Sequence, residues 1–249
     1  MAGHSKWKNI QHRKGRQDAI RGKVFAKLSR EIMVATREGG PDPEQNQRLR
    51  LAVAKARSQN MPNDNIERAI KRGSGEEGGG NYEAVTYEGY GPAGAAVMVE
   101  ALTDNRNRTA ADIRHIFSKR DGNLGESGCV AWMFERKGLL YIDRNTTDVE
   151  EDELLMLALE AGAEDFEAAT DAFTITTAPE NFEDIKNVLE DQGFRLSNAE
   201  VTMIPTNTVD VSGEHASKIL NLIETLEDHD DVQNVFANFN IDEAELEKL

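Results

Sequence analysis

The residues best suited to chemistry are cations and aromatic rings at the start of the chain. Nine Lys and Arg side chains fall within the first thirty residues, where Asp18 is the only acid. Such an excess cannot be balanced by local ion pairs and is typical of segments that neutralise nucleic-acid phosphates. His and Trp rings between the cations could stack on unpaired bases. The alternative is a solvated helix face. The predicted nucleic-acid contacts of this segment are Lys6, Trp7, Lys8, His12, Arg13, Lys14, Arg16, Arg21, Lys23 and Lys27.

A second polar segment, Asp104–Thr109, leads into a predicted helix. The N-terminus of a helix presents unpaired N–H groups to anions. Arg106 and Arg108 lie beside such an end and are predicted to form a second nucleic-acid contact. The other interpretation is that Thr109 and Asp112 cap the helix while the two arginines pair with nearby acids. The sequence leaves both interpretations open.

The chain shows no constellation of catalytic residues. The five histidines have no paired spacing typical of metal ligands, and no H-E-x-x-H or phosphate-binding P-loop motif occurs. The only cysteine, Cys129, lies in a strand-like pattern at 128–134 and is interpreted as a packed thiol. A G-x-G-x-x-G match beginning at Gly73 follows a helix and contains Glu76 and Glu77, so it is interpreted as a hinge. We therefore expect a non-enzymatic protein with no metal or other cofactor.

The net charge conceals a segregation of charge along the chain. The 249 residues contain 29 Lys and Arg against 45 Asp and Glu, a balance of −16 that by itself argues against a polyanionic partner. However, residues 1–72 hold 17 cations against 7 acids, residues 73–144 hold 8 against 11, and residues 145–249 hold 4 against 27. Such asymmetry favours a nucleic-acid-binding module within an otherwise acidic protein.

The basic segment is predicted to form a three-helix domain. Apolar residues recur with helical spacing over 13–37, and Gly39-Gly40-Pro41 ends this element. Asp42 and Pro43 are predicted to cap and open a second helix. A third helix is predicted to begin near Asp64, with Glu67 completing a capping box, and to stop at Gly73.

After the glycine-rich linker, alternating apolar residues indicate strands. We predict strands at 82–88, 95–102, 129–135, 139–143, 165–169, 172–176, 199–204, 206–211 and 232–239. Helical patterns cover 109–120, 148–161, 180–192 and 213–228. Residues 139–204 have the order β-α-β-β-α-β of the ferredoxin-like unit, and residues 95–135 joined to 206–239 have it again.

The predicted fold class is therefore a multi-domain α+β protein. Residues 1–77 form the helical basic domain with its linker. Residues 78–136 and 205–249 form a discontinuous middle domain, and 137–204 form a ferredoxin-like domain inserted into it. No apolar run approaches the roughly 18 residues of a membrane span, and no secretory signal is present, so we expect a cytoplasmic protein without a membrane partner.

Several motifs resemble the YebC family. They include MAGHSKWKNIQHRKGRQDAIRGKVF at the start, NMPNDNIERAIKRG at 60–73, and YEGYGPAGAAVMVEALTDNRNRT within 87–109. LEAGAEDFE at 159–167 and EDHDDVQNVFANF at 227–239 extend the similarity through the chain. The acidic content after residue 145 is heavier than the family pattern. The resemblance implies a cytosolic bacterial protein of three domains. It also implies either a DNA-binding transcriptional regulator or a translational activator. The mitochondrial branch that the chain resembles activates translation of a cytochrome c oxidase subunit, and bacterial members are also linked to the ribosome.

The leading hypothesis is a non-enzymatic DNA-binding regulator of gene expression. The first alternative is an RNA- or ribosome-binding translational activator. The second is a protein-interaction module whose acidic lobes dock a basic partner, such as a ribosomal protein, or fold back on the basic domain of the same chain. No small-molecule substrate is expected.

Overall fold

The computed structural model describes residues 20–76, 81–147, 149–170, 172–242 and 245. The chain divides into two compact units, one of residues 132–208 and the other of residues 3–131 and 209–249. A helical region comes first and sheet-containing lobes follow, which confirms the predicted α+β class. The three domain boundaries given above stay a prediction.

Three helices open the described part of the larger unit: α1 (Ile20–Gly39), α2 (Gln47–Ser58) and α3 (Asn63–Gly73). Residues 13–19 of the first predicted helix lie outside the described residues. The helices enclose an apolar core because each presents one apolar stripe to the others. The core includes Leu28, Ile32, Leu49, Val53 and Ile66.

The predicted start of α2 at Asp42 and Pro43 is wrong. Residues 43–45 form a turn, and the helix begins after Asn46. The buried Asn46 side chain accepts a hydrogen bond from the Leu49 N–H at 3.0 Å. Its amide nitrogen donates to the carbonyls of Ala35 and Gly40, both at 2.8 Å. Asn46 therefore caps α2 and also ties it to the end of α1.

The predicted capping box of α3 is also absent. The helix begins directly after Pro62, whose fixed backbone angle suits a helix start, and no side chain caps it. The helix ends at Gly73 as predicted. A Cβ atom at Gly73 would lie 2.6 Å from the Met33 carbonyl oxygen, so this glycine allows α3 to approach α1 closely.

The rest of the larger unit is a four-stranded antiparallel sheet covered by two helices. Its strands are β1 (Glu83–Tyr90), β2 (Ala96–Thr103), β3 (Asn123–Leu124) and β9 (Val232–Ala237), in the order β3-β1-β2-β9. The helices are α4 (Arg106–Lys119) and α7 (Glu214–Glu227). Buried apolar residues of both helices and of β2 and β9 form one core. The ferredoxin-like unit predicted for residues 95–135 joined to 206–239 is therefore only partly correct. Strands β2 and β9 and helices α4 and α7 are present as predicted, but β1, which precedes the unit in sequence, lies where the strand at 206–211 was predicted, and β3 lies where the strand at 129–135 was predicted.

The prediction of a strand at 129–135 is wrong for most of these residues. Residues 131–133 form a 3-10 turn, and the next strand starts only at Phe134. The physical reason is Glu88, whose buried carboxylate accepts hydrogen bonds from the N–H groups of Gly128, Val130 and Ala131 at 2.7–2.8 Å. These donors are consequently unavailable to a strand ladder. Cys129 lies half-buried in this turn segment, and burial together with the Glu88 charge raises the pKa of its thiol.

Another predicted strand, at 206–211, is shorter in the structure. It is reduced to β8 (Val209–Asp210), which pairs in parallel with β10 (Phe239–Asn240).

The smaller unit has the predicted β-α-β-β-α-β order. It comprises β4 (Phe134–Asp143), α5 (Glu151–Glu160), β5 (Asp165–Ala168), β6 (Ala172–Thr177), α6 (Phe182–Asp191) and β7 (Asn198–Pro205). All strand pairs are antiparallel, in the order β5-β6-β4-β7. The helices pack on a core that includes Leu140, Phe173, Ile175 and Leu189.

Candidate nucleic-acid interface

Helix α1 carries part of the predicted basic surface. Lys23, Lys27 and Arg30 are spaced by four and three residues, so they lie on one face of the helix. This face contacts the segment that follows α7. Lys23 Nζ donates to the Asp228 carboxylate at 2.8 Å and to the Asp228 carbonyl at 3.1 Å. Lys27 Nζ donates to the Glu227 carbonyl at 2.5 Å.

Arg30 completes this contact by donating to the Asp230 carbonyl. The carbonyls of Glu227 and Asp228 stand at the C-terminal end of α7, where the helix dipole is negative and attracts cations. Burial lowers the pKa of Lys27 even though Glu227 and Asp228 act to raise it. The hydrogen bond to Asp228 raises the pKa of the more exposed Lys23. The cationic face of α1 is thus engaged within the protein.

Asp231 is the buried centre of the same region. Its Oδ2 accepts from Arg108 at 2.8 Å and from the Thr109 hydroxyl at 2.7 Å, and Arg30 lies 3.5 Å from Oδ1. Burial by itself would raise the pKa of Asp231. Hydrogen bonds from Arg108 and Thr109, with the charges of Arg108 and Arg30, outweigh that effect and lower it. Asp231 therefore remains an anion that fixes the start of α4 beside α1.

The second predicted contact lies at that helix start. Asn105, rather than Thr109 or Asp112, caps α4 by accepting from the Arg108 N–H at 3.1 Å. Arg108 pairs with Asp104 at 2.9 Å as well as with Asp231, as the pairing interpretation expects.

The side chain of Arg106 is held less firmly by acidic groups than that of Arg108. Its side chain is 64% exposed, and the Glu83 carboxylate lies 3.7 Å away. A nucleic-acid contact by Arg106 or Arg108 stays a prediction.

A cleft of about 530 Å³ opens between α1 and the start of α4. Its cations are Lys23, Arg30 and Arg108. Five aspartates share its walls: Asp104, Asp112, Asp228, Asp230 and Asp231. Because acids outnumber cations, the cleft repels a polyanion unless the cations are released from their partners.

The remaining predicted residues are Arg21 and those of the basic arm, which comprises residues 3–16. Arg21 falls in the first turn of α1, and its side chain lies outside the part of the chain that the structure describes. The other predicted contacts that lie outside the described residues are Lys6, Trp7, Lys8, His12, Arg13, Lys14 and Arg16. Their role stays a prediction.

Five other cations of the helical region were not singled out by the sequence. These five are exposed, and none of them forms an ion pair with any described residue. The cations are Arg50 and Arg57 on α2, and Arg68, Lys71 and Arg72 on α3. Their spacings of seven, and of three and four, place them on the outer faces of their helices. The excess of cations in residues 1–72 was the signal that could have identified them. We call these five residues the exposed cationic set.

Within the described residues, no group of three His, Cys, Asp or Glu side chains is arranged to hold a metal ion. None of the helices described is both long and apolar enough to cross a membrane.

The comparisons with known proteins cover nearly the whole chain, and they agree with one another. Residues 5–76 match the family model described as the TACO1/YebC protein N-terminal domain. Residues 82–239 match the model of the TACO1/YebC second and third domain. A "probable transcriptional regulatory protein" of Natranaerobius thermophilus is 60% identical over 99% of both chains. A protein of the same description from Geobacillus kaustophilus is 58% identical over the full length of both.

A solved structure gives the same result. The crystal structure of a conserved hypothetical protein from Aquifex aeolicus superposes with a TM-score of 0.80 at 52% identity, covering 91% of this chain and 93% of that one. The resemblance identified from the motifs is confirmed, and the chain belongs to the TACO1/YebC family.

Proposed function

We propose that this protein is a cytoplasmic, non-enzymatic regulator of gene expression that binds nucleic acid through its helical basic region. The observation that carries the proposal is the exposed cationic set, whose five side chains have no acidic partner among the described residues. Phosphates are the ligands that such unpaired cations attract. The names of the relatives as probable transcriptional regulatory proteins favour DNA as the polymer.

The contacts fall into two groups according to their present partners. The exposed cationic set meets the phosphates directly, and the basic arm is proposed to add further contacts. Arg106 exchanges its exposed pair with Glu83 for a phosphate. Lys23, Lys27 and Arg108 are held by groups of residues 227–231, which we call the acidic segment, and Arg108 also pairs with Asp104. These three cations contribute only after those contacts open. We expect weak sequence specificity, because phosphate contacts position a protein on the duplex without reading its bases.

Binding of the full chain to labelled duplex DNA, measured by fluorescence anisotropy over a range of salt, tests the proposal. If about six phosphates are contacted, log affinity falls with log salt at a slope near −5, or about a thousandfold between about 50 and 200 mM. Affinity that does not change with salt contradicts the mechanism.

A charge-matched pair of variants locates the interface. Arg68→Gln with Arg72→Gln removes two members of the exposed cationic set, and we expect the slope to become shallower by about 2. Lys186→Gln with Arg195→Gln removes the same charge from the smaller unit and should leave the slope unchanged. Equal effects of both pairs would show that net charge, and not this surface, determines binding.

RNA is the second candidate polymer. Trp7 and His12 could stack on unpaired bases, which are accessible in structured RNA and not in a DNA duplex. Crosslinking of the full chain in cells, followed by separate DNase and RNase digestion, distinguishes the two. Crosslinks that resist DNase and cosediment with ribosomes favour a translational activator, whereas crosslinks that resist RNase and cluster at promoters favour a transcriptional regulator.

A further inference from the structure

Helix α5 of the smaller unit is apolar on two opposite sides. Leu154 and Ala158 are fully buried in the core of that unit. At 100° per residue, Leu155, Met156 and Leu159 fall within an arc of about 100° that faces away from Leu154. Met156 is 57% exposed and Leu159 is 48% exposed, while Leu155 is half-buried. We call these three residues the apolar stripe of α5.

Such a stripe is unusual on the surface of this protein. A helix that is apolar all round is typical of a buried position. In the described part of the chain, four large apolar side chains are exposed, and Met156 and Leu159 are two of them. They lie three residues apart and therefore form one continuous surface.

The charges around the apolar stripe limit the kinds of molecule that can cover it. Asp152 and Glu160 lie one turn before and one turn after Met156, and Glu153 lies beside them. These three carboxylates form no ion pair with any described residue. The whole segment 132–208 contains 5 Lys and Arg against 18 Asp and Glu. Nucleic acids and anionic lipid surfaces are repelled by such a field, and so is a second copy of the same helix, because a two-fold pairing would bring like charges together.

We propose that the apolar stripe of α5 docks a basic amphipathic segment of another protein. Apolar side chains of the partner cover Leu155, Met156 and Leu159, and its Lys or Arg side chains face the flanking carboxylates. The methionine suits this role because its flexible thioether adapts to different apolar surfaces. The proposal stands on the geometry and charge of α5 and does not depend on nucleic-acid binding by the helical region.

A labelled synthetic peptide of about 14 residues, with Leu on one helical face and Lys on the other, is the probe. Its binding to the full-length protein is followed by fluorescence anisotropy. Replacing the two exposed apolar residues, Met156→Ser with Leu159→Ser, should weaken binding about tenfold or more, because exposed apolar anchors carry much of such an interface. Neutralising two of the flanking carboxylates, with Asp152→Asn and Glu160→Gln, should weaken peptide binding mainly at low salt.

Two controls separate the stripe from general attraction to an acidic protein. Trp132→Ser removes a more exposed apolar side chain elsewhere in the same unit and should leave peptide affinity unchanged. A peptide of the same composition in scrambled order keeps the charge but loses the apolar face, so it should bind at least about tenfold more weakly. Circular dichroism and a thermal melt confirm that every variant is folded.

Three outcomes would overturn the proposal. The first is unchanged peptide affinity in Met156→Ser with Leu159→Ser. The second is a concentration-dependent dimer in analytical ultracentrifugation that the same double variant abolishes, because the stripe would then be covered by a second copy. The third is tighter binding by a synthetic peptide of residues 3–16 than by the Leu and Lys probe, which would make the basic arm of this chain the occupant.

Discussion

Two buried carboxylates, Glu88 and Asp231, organise the middle sheet and its attachments. Burying a charge is costly unless donors surround it. Glu88 meets three backbone N–H groups of one turn, and Asp231 meets Arg108, Thr109 and Arg30. Each carboxylate joins segments that are distant in sequence, so its loss should affect the arrangement of those segments and not only one local contact.

Glu88→Gln tests the first of these carboxylates. The amide nitrogen of Gln presents donors to backbone donors, so we expect a loss of about 1–3 kcal/mol in the free energy of unfolding. Burial alone would raise the pKa of Glu88, but the three N–H donors lower it below the ordinary value of 4.5. The stabilisation is therefore fully present above pH 4.5 and is lost as the pH falls through the lowered pKa.

Urea unfolding at a series of pH values measures this effect. The difference between wild type and Glu88→Gln should be constant near neutral pH and should shrink under acid conditions. A difference that grows as the pH falls would contradict the direction of the pKa shift.

Asn46 allows a graded test of the helix cap. Asn46→Asp can still accept from the Leu49 N–H but cannot donate to the Ala35 and Gly40 carbonyls, whereas Asn46→Ala loses all three hydrogen bonds. We expect Ala to lower the unfolding free energy by about 1–3 kcal/mol. Asp should also destabilise, because it places a carboxylate against two carbonyl oxygens. Thermal melts of both variants measure this, and wild-type stability of the Asp variant would exclude a role for the two donated bonds.

Single residues also show where the sequence stops being informative. The sequence of the first thirty residues is enough to show that Lys23 and Lys27 belong to a cationic segment. Their partners at 227 and 228 are about two hundred residues away, and no local pattern marks that pairing. The sequence therefore predicts which side chains carry charge, while the fold decides which charges are still available to a ligand.

At the scale of elements, the contact between α1 and the end of α7 links the basic helical region to the middle sheet. It combines the exposed ion pair of Lys23 and Asp228 with donation to carbonyls at a helix C-terminus. An ion pair this exposed contributes at most about 1 kcal/mol. Phosphates of a nucleic acid can therefore compete with the acidic segment for the same lysines.

Asp228→Asn with Asp230→Asn weakens this contact without changing the size of the side chains. We expect nucleic-acid affinity of the full chain to rise about three- to tenfold at low salt, because Lys23 loses its ion pair with Asp228 and local repulsion of phosphates falls. Anisotropy titrations with the DNA used above provide the measurement. Glu126→Gln with Glu224→Gln removes two exposed acids of the same unit as a matched control. An equal gain in the control would show that total charge and not this contact limits affinity.

Helices and strands could be predicted from the sequence where apolar residues recur on a face that packs in a core. Helices α4 to α7 each begin and end within about three residues of the predicted bounds, because apolar residues recur along each of them with helical spacing. The strand at 129–135 failed for a different reason. Its alternating apolar pattern is genuine, but the carboxylate of Glu88, about forty residues earlier, captures the N–H groups that a strand would use.

At the scale of the whole molecule, most of the acid excess and the exposed cations occupy different compact units. The smaller unit holds most of the acid excess, and the exposed cationic set belongs to the larger one. The Debye length is about 8 Å at physiological salt and about 30 Å at 0.01 M. Charges of the smaller unit should therefore act on a nucleic acid at low salt and be screened under cellular conditions. Under the proposed function, this difference would allow a chain with a net charge of −16 to bind a polyanion.

Neutralising the flank of the apolar stripe tests this screening. Asp152→Asn, Glu153→Gln and Glu160→Gln together remove three negative charges from α5. We expect the variant to gain nucleic-acid affinity at about 0.01 M salt and to lose most of that gain at about 0.15 M, because the Debye length falls from about 30 Å to about 8 Å. Met156→Ser with Leu159→Ser alters the same helix without a change in charge and should leave affinity unchanged at both salts. A gain that persists at 0.15 M would place α5 within about one Debye length of the bound polymer, and the acidic unit would then be part of the nucleic-acid interface instead of a separate docking surface.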